Sequence, residues 1–239
     1  MRIPYKNKLL VAMLFGILVY VVGCVDTSVQ TIPESINYTS QLKVVNLVSG
    51  GGTATISLNN QSLGSLDFGA ELPNAQAAFL NIPSGNKVLN VTFTGGTAKE
   101  YRFAADTEYK LRVFLVGTPA DAQVIKVLQR YTWQTKDSPN GALLFPADTG
   151  FVSFFNGSTD ATINGVTIND TLDIEFASPL VLGGVSGRTK LKAGNYSFKV
   201  AYNDSLETSF DYTVGAKSRY TVVIYDTVGS IKNSVLVDD

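Results

Sequence analysis

The sequence predicts an all-β protein, two tandem immunoglobulin-like antiparallel β-sandwiches following a signal peptide. Three observations predict it. Apolar residues recur with period two along most of the chain. No segment after the first two dozen residues carries a 3.6-residue apolar stripe with caps. The chain also overlays on itself at an offset near 110 residues.

The N-terminus comes first. Arg2, Lys6 and Lys8 precede an apolar run, Leu9 to Val22, and no acid interrupts them. That is the pattern of a secretory signal. Fourteen helical residues reach about 21 Å, short of the hydrocarbon thickness of about 30 Å, so the run reads as a signal rather than a transmembrane anchor. Val21-Val22-Gly23-Cys24 closes it. This resembles the bacterial lipobox, and the resemblance implies cleavage before Cys24 and lipidation of Cys24. Several acyl chains hold a protein on a membrane where one holds it marginally. Val25 follows the cysteine and Asp26 comes one place later, so the expected location is the outer membrane of a bacterial cell envelope, on either its periplasmic or its surface face. With residues 1–23 removed, 216 of the 239 remain, with 16 basic residues against 20 acidic, net −4.

Residues 24–41 are rich in Thr, Ser and Asn and read as a tether. The strands follow. Leu89, Val91 and Phe93 alternate with Asn90 and Thr92; Tyr109, Leu111, Val113 and Leu115 form a stripe opposite Lys110 and Arg112; Tyr196, Phe198, Val200 and Tyr202 form another. Asn164-Gly165 reads as a hairpin turn, since Asn-Gly takes positive φ readily. Gly50-Gly51-Gly52 has no following lysine or helix, so it too reads as a hairpin turn and not a phosphate loop.

The self-overlay has separate anchors. Val44-Val45-Asn46 falls on Phe154-Phe155-Asn156, 110 residues on, and Ile82-Pro83-Ser84-Gly85 on Leu191-Lys192-Ala193-Gly194, 109 on. The stripe from Leu89 then falls on the one from Phe198, and Tyr109 pairs with Tyr220, 111 on. The expected organisation is sandwich 1 at 42–133, a polar, turn-rich linker at 134–149 and sandwich 2 at 150–239. A tyrosine opening a late strand after a turn suggests a tyrosine corner in each copy. With one cysteine no intramolecular disulfide can form, so apolar burial holds each sandwich.

The segments Gln41–Leu47, Ile82–Gly85 and the strand opened by Tyr109, repeated at Phe154-Phe155-Asn156, Lys192-Ala193-Gly194 and Tyr220, resemble the tandem domains of domain-of-unknown-function family 4397. The resemblance spans nearly all of residues 42–239 and implies a β-sandwich lipoprotein of Bacteroidota-type bacteria, some members being described as adhesins. It implies no activity. The stretch Asp170 to Arg188 departs from the pattern.

Composition excludes several chemistries. Without histidine there is no Ser-His-Asp or Cys-His nucleophile system and no His-ligated metal, and one cysteine cannot build a thiolate zinc site. A formal charge of −1 offers no basic field for nucleic acid. No cofactor is expected. Asp170, Asp173 and Glu175 cluster, but EF-hand spacing and its glycine are missing, so a solvated acidic cluster is expected rather than a metal site. Tyr131 and the sole tryptophan, Trp133, share a strand face; they fit either a stacking platform for a sugar or partner protein, or a staple between the sandwiches. Asp170-Thr171-Leu172, Asp204-Ser205-Leu206 and Asp226-Thr227-Val228 resemble the Asp-Ser/Thr-aliphatic O-glycosylation sequon of such bacteria, which marks Thr171, Ser205 and Thr227. The expected function is a non-enzymatic, lipid-anchored binding, adhesion or structural module, its sandwiches set in a row as a semi-rigid spacer. It meets the membrane through Cys24 and takes a protein or glycan partner. The alternatives are a glycan-binding accessory lipoprotein of a polysaccharide uptake system, and a fibre or envelope-assembly subunit.

Overall fold

The computed structural model describes residues 38–96, 98–107, 109–130 and 148–238. The first half contains β1 (Thr39–Val48), β2 (Ala54–Leu58), β3 (Gln61–Leu66), β4 (Glu71–Leu72), β5 (Leu80–Pro83), β6 (Gly85–Phe93), β7 (Lys99–Ala105), β8 (Tyr109–Gly117) and β9 (Gln123–Arg130). The second contains β10 (Thr149–Ser158), β11 (Ile163–Ile168), β12 (Leu172–Leu180), β13 (Thr189–Lys192), β14 (Gly194–Tyr202), β15 (Leu206–Val214), β16 (Arg219–Asp226) and, after a 3-10 turn at Val228–Ser230, β17 (Lys232–Val237). The all-β sandwich expectation holds. Among the described residues no helix is long and apolar enough to cross a membrane. β1 opens at Thr39, inside the stretch read as tether.

Each half is two sheets. In the first, an outer sheet ordered β3-β2-β6-β7 faces an inner sheet ordered β4-β1-β8-β9, with β5 also on β1. In the second, β12-β11-β14-β15 faces β13-β10-β16-β17. Each inner sheet carries one parallel pair within an otherwise antiparallel ladder, β1 with β8 and β10 with β16.

The halves do not stand in a row. Tyr38–Asp239 forms one compact unit in which the two inner sheets stack on each other. The result is four layers and three apolar seams. Ile56, Val91 and Leu111 belong to the first seam, and Ile163, Phe198 and Val222 to the third. Between the inner sheets lie Val45, Leu47, Phe114, Phe155, Val223 and Tyr225. Phe114 stacks on Phe155 with ring centroids 4.0 Å apart. The contact is tight: a Cβ on Gly157 would stand 2.7 Å from Leu47 Cδ1. This explains why the strand from Tyr109 is more than half-buried. The stripe of Tyr109, Leu111, Val113 and Leu115 faces the first seam, while Arg112, Phe114 and Val116 on its other face are buried in the middle one. Strands covered on both faces lose the alternation of a half-exposed sheet.

The repeat is visible atom by atom. Asn46 and Asn156 are fully buried at equivalent places in β1 and β10. Asn46 Nδ2 donates to Gly52 O and Leu66 O, and its Oδ1 accepts from the Val48 amide. Asn156 Nδ2 donates to Ala161 O and Leu180 O, and its Oδ1 accepts from the Ser158 amide. Each asparagine thus ties an inner strand to the turn after it and to the sheet opposite.

Two turn readings and one equivalence between the halves are corrected. Asn164-Gly165 lies inside β11, where Gly165 follows a register shift. The positive-φ turns use Asn59-Asn60, Asn169-Asp170 and Asn203-Asp204 instead. In each, the first asparagine binds the neighbouring strand twice, its amide donating to a carbonyl (Val88, Ser197, Thr162) and its Oδ1 accepting from the same residue's amide. Asparagine tolerates left-handed backbone because its short amide satisfies local groups. Gly50-Gly51-Gly52 is no hairpin: it carries the chain from the inner sheet to the outer one, with Gly50 and Gly52 at positive φ. The ladder also shifts the tyrosine equivalence. Leu42 pairs with Leu111, and Val152 with Tyr220, so Tyr220 matches Leu111 rather than Tyr109. Tyr220 does form the corner, its hydroxyl accepting from the Gly215 amide at 2.9 Å.

Replacing either Asn46 or Asn156 by alanine strips two buried carbonyls of their donor, and is expected to cost on the order of 3 kcal/mol. The exposed-face Asn90→Ala should stay within about 0.5 kcal/mol. Urea unfolding midpoints at constant slope check both.

Candidate functional site

A cluster of four charged side chains lies inside the protein. Lys43 on β1, Glu71 on β4, Arg112 on β8 and Asp238 after β17 are all buried. Alternation along β1 and β8 sends Lys43 and Arg112 to the face shared with the second half. Lys43 Nζ donates to Glu71 Oε1 at 3.1 Å and to the carbonyls of Asn74 and Ala75. Arg112 donates to Glu71 Oε2 at 3.2 Å, to Val237 O at 2.9 Å and to Asp238 Oδ1. Thr221 Oγ1 donates to Asp238 Oδ2 at 2.8 Å. The Phe79 ring centroid lies 5.2 Å from Lys43 and Lys110 and 5.4 Å from Arg112. Two cations and two anions close a neutral set that joins β4 and β8 to the C-terminal strand. Buried and mutually paired, the four side chains hold the two halves together.

A second link lies at the edge of the same interface. Ser49 Oγ donates to Asp226 Oδ1 at 2.8 Å, and Lys232 pairs with Asp226 Oδ2 at 2.9 Å. Burial pushes the Asp226 carboxyl up, but hydrogen bonds from Lys232, Ser49 and the Thr227 amide, with the Lys232 charge, carry it below its ordinary 3.8. Burial raises the neighbouring Tyr225 phenol.

Cys24, Tyr131 and Trp133 fall outside the described residues, as does most of the 134–149 linker. Thr171 sits exposed in the turn between β11 and β12, and Ser205 exposed in the turn between β14 and β15. The antiparallel β11–β14 ladder puts those turns at opposite ends of the outer sheet. Thr227 is half-buried and follows β16, near Ser205: Asp160 receives the Val228 amide on Oδ1 and Asn203 Nδ2 on its carbonyl. Asn156-Gly157-Ser158 has the Asn-x-Ser form of an N-glycosylation acceptor, but Asn156 has no exposed surface and is closed to modification.

The acidic cluster resolves into ordinary surface pairs. Asp170 holds Lys199 at 2.9 Å, and Asp173 Oδ1 accepts from Thr167 Oγ1 at 2.7 Å. The Asp170 hydrogen bond and charge, with that of Glu207, raise the Lys199 ammonium. Beside them the β14–β15 ladder forms a shallow trough of about 720 Å³ lined by Asn195, Tyr196, Ser197, Asp211, Tyr212 and Thr213. The tyrosine rings turn inward, Tyr196 Oη donating to Lys192 O and Tyr212 packing edge-on against Tyr220, so burial raises the Tyr212 phenol. What remains outward is amide, hydroxyl and carboxylate, which can hydrogen-bond a partner but offers no apolar floor. A narrower cleft of about 370 Å³ opens between β12 and residues 185–189, lined by Phe176, Val185 and Arg188 among others. None of these outward residues stands out in sequence from the other polar positions of a strand; only the register reveals that they adjoin.

No family model matches this chain, and no curated protein matches its sequence. Among solved structures it is similar to CBMbc, a family CBM26 module of Eubacterium rectale Amy13K crystallised with maltoheptaose. The match covers 81% of this chain and 96% of that one, at 14% identity and a TM-score of 0.25. So loose a likeness carries no argument about what this chain binds.

Asp238→Ala should cost about 3–5 kcal/mol, because it leaves two buried cations, Lys43 and Arg112, sharing Glu71 as their one remaining carboxylate in the set; thermal unfolding reads the loss. Asp226, lowered in the folded state, stabilises fully above its unfolded value near 3.8 and loses that contribution as pH falls through the lower folded value. Asp226→Asn should therefore flatten the stability loss below pH 4, measured as urea midpoints across that range.

Proposed function

We propose that this chain is a lipid-anchored, non-enzymatic module of a bacterial cell envelope, held at the outer membrane through Cys24, whose body is a rigid structural and binding unit. The observation that supports it best is the middle seam. Two sandwiches fused through Phe114, Phe155 and the Arg112–Asp238 pair make one thick body instead of a jointed chain. Such a body keeps its two outer sheets facing away from each other, with polar residues on both. Interdomain surfaces that are apolar and tightly packed resist the hinge motions that looser ones allow. The Leu9–Cys24 segment supports the anchor, and the strand and turn signposts shared with family 4397 support the envelope setting.

The anchor is tested by Cys24→Ala expressed in a lipoprotein-processing bacterium. Release from membranes, or retention as an uncleaved precursor, is expected. Normal mature mass with unchanged detergent-phase partitioning would refute lipidation.

A further inference from the structure

The two ends of the stacked strands carry opposite charge. Leu47 lies against Gly157 and Ser49 binds Asp226, so β1 and β10 finish at the same end, the far end, and begin together at the other, the near end. The turns of the far end carry Asp67, Asp121, Asp160, Asp204 and Asp226 against Lys99 and Lys232. At the near end the balance reverses. Thr149 pairs with Lys192 and its carbonyl accepts the Lys217 amide, while Gln41 pairs with Lys110. Lys190, Lys192 and Lys217 are exposed, and Lys110 is half-buried beside Phe79. The acids described there are Asp148, which is exposed, Asp106, which Lys126 holds, and Asp238, buried against Arg112. Asp211, the next acid along β15, pairs with Ser197, three residues up from Gly194. That is about 10 Å along the strand, about one Debye length at 0.1 M salt.

The near end is also where the chain enters the body. Tyr38 precedes β1, accepts the Ser84 amide on its carbonyl and is 58% exposed. Under the anchor reading above, on which this inference rests, residues 24–37 join the lipidated cysteine to Tyr38. Fourteen residues reach at most about 50 Å, so the lysines at Tyr38's end are held close to the bilayer.

We propose that the near end lies on the anionic lipid headgroups of the membrane that holds the anchor, with the strands upright and the acidic turns outermost. Charge complementarity selects the occupant and the orientation together. A lysine close to an anionic lipid surface favours binding by about fivefold, and the same surface repels the acidic far end. Three such lysines would hold a free protein weakly. A tethered body is already at high local concentration, so a weak attraction sets its orientation. Tyr38, with an apolar ring and a polar tip, suits the headgroup level. Docked this way, the body turns Asp160, Asp204 and their neighbouring turns away from the membrane.

The test uses the mature lipidated protein in vesicles that carry a nitroxide on some of their headgroups. With Cys24 acylated, one added cysteine takes a fluorophore: Ala216→Cys at the near end or Ser230→Cys at the far end, both exposed positions. Adding phosphatidylglycerol to phosphatidylcholine vesicles should raise quenching at position 216 at least about threefold and leave position 230 unchanged. The rise should vanish in about 1 M salt, where screening reaches about 3 Å. It should also vanish in the triple variant Lys190→Gln, Lys192→Gln, Lys217→Gln, whose thermal unfolding stays that of the parent. No rise at position 216, an equal rise at both positions, or a rise that survives the triple variant overturns the proposal and leaves the anchor standing, provided the protein floats with the vesicles. A parent chain that does not float with them refutes the anchor and this inference together.

Discussion

The structure depends on one constraint: four strands, β1, β8, β10 and β16, are buried on both faces. An ordinary sandwich hides one face of each sheet. Here the second face of each inner sheet must also leave water, and only the other inner sheet is available to cover it. The Phe114–Phe155 stack and Gly157 against Leu47 follow, because two sheets meet closely only where side chains interdigitate or are absent. So does the placement of Lys43, Glu71, Arg112 and Asp238. Charges on a face that becomes interior must find partners within it, and these four close on each other across the two halves.

That burial divides labour between the layers. The inner sheets supply cohesion and carry the buried asparagines, whose side chains fix the cross-sheet turns. The outer sheets are left for solvent and partners. Their strands alternate plainly, and their turns use asparagine at positive φ. The halves share a topology but differ at one edge: in the first, Lys99 and Tyr101 of β7 and Lys126 of β9 tie β7 to the β8–β9 hairpin.

Much of this was legible in the sequence, and the failures have physical causes. The outer strands from Leu89 and Tyr196 were readable because one face is wet, so period two survives. The repeat was readable through Asn46 and Asn156, since a buried asparagine with three bonds has no substitute of the same shape. The stacking was hidden: the stripe from Tyr109 sets Lys110 and Arg112 on the opposite face, and nothing local distinguishes a charge paired in an interface from one in water. Yet Val44-Val45-Asn46-Leu47-Val48 and Val222-Val223-Ile224 do run apolar on both faces, the trace that such burial leaves. Asn164-Gly165 misled because a dipeptide's turn propensity yields to strand register. Tyr109 and Tyr220 share a residue type but not a place, because the ladder sets Tyr220 opposite Val152 as it sets Leu111 opposite Leu42.

The central claim is that the two sandwiches share an interior through Phe114 and Phe155. A double-mutant cycle of Phe114→Ala and Phe155→Ala, read by urea unfolding, tests it most directly. Stacked rings in one core should couple, so that the double variant loses about 0.5–1.5 kcal/mol less than the sum of the single losses. Strict additivity of the two losses would contradict the account, because residues 41 positions apart in chain order can be independent only if the inner sheets do not meet.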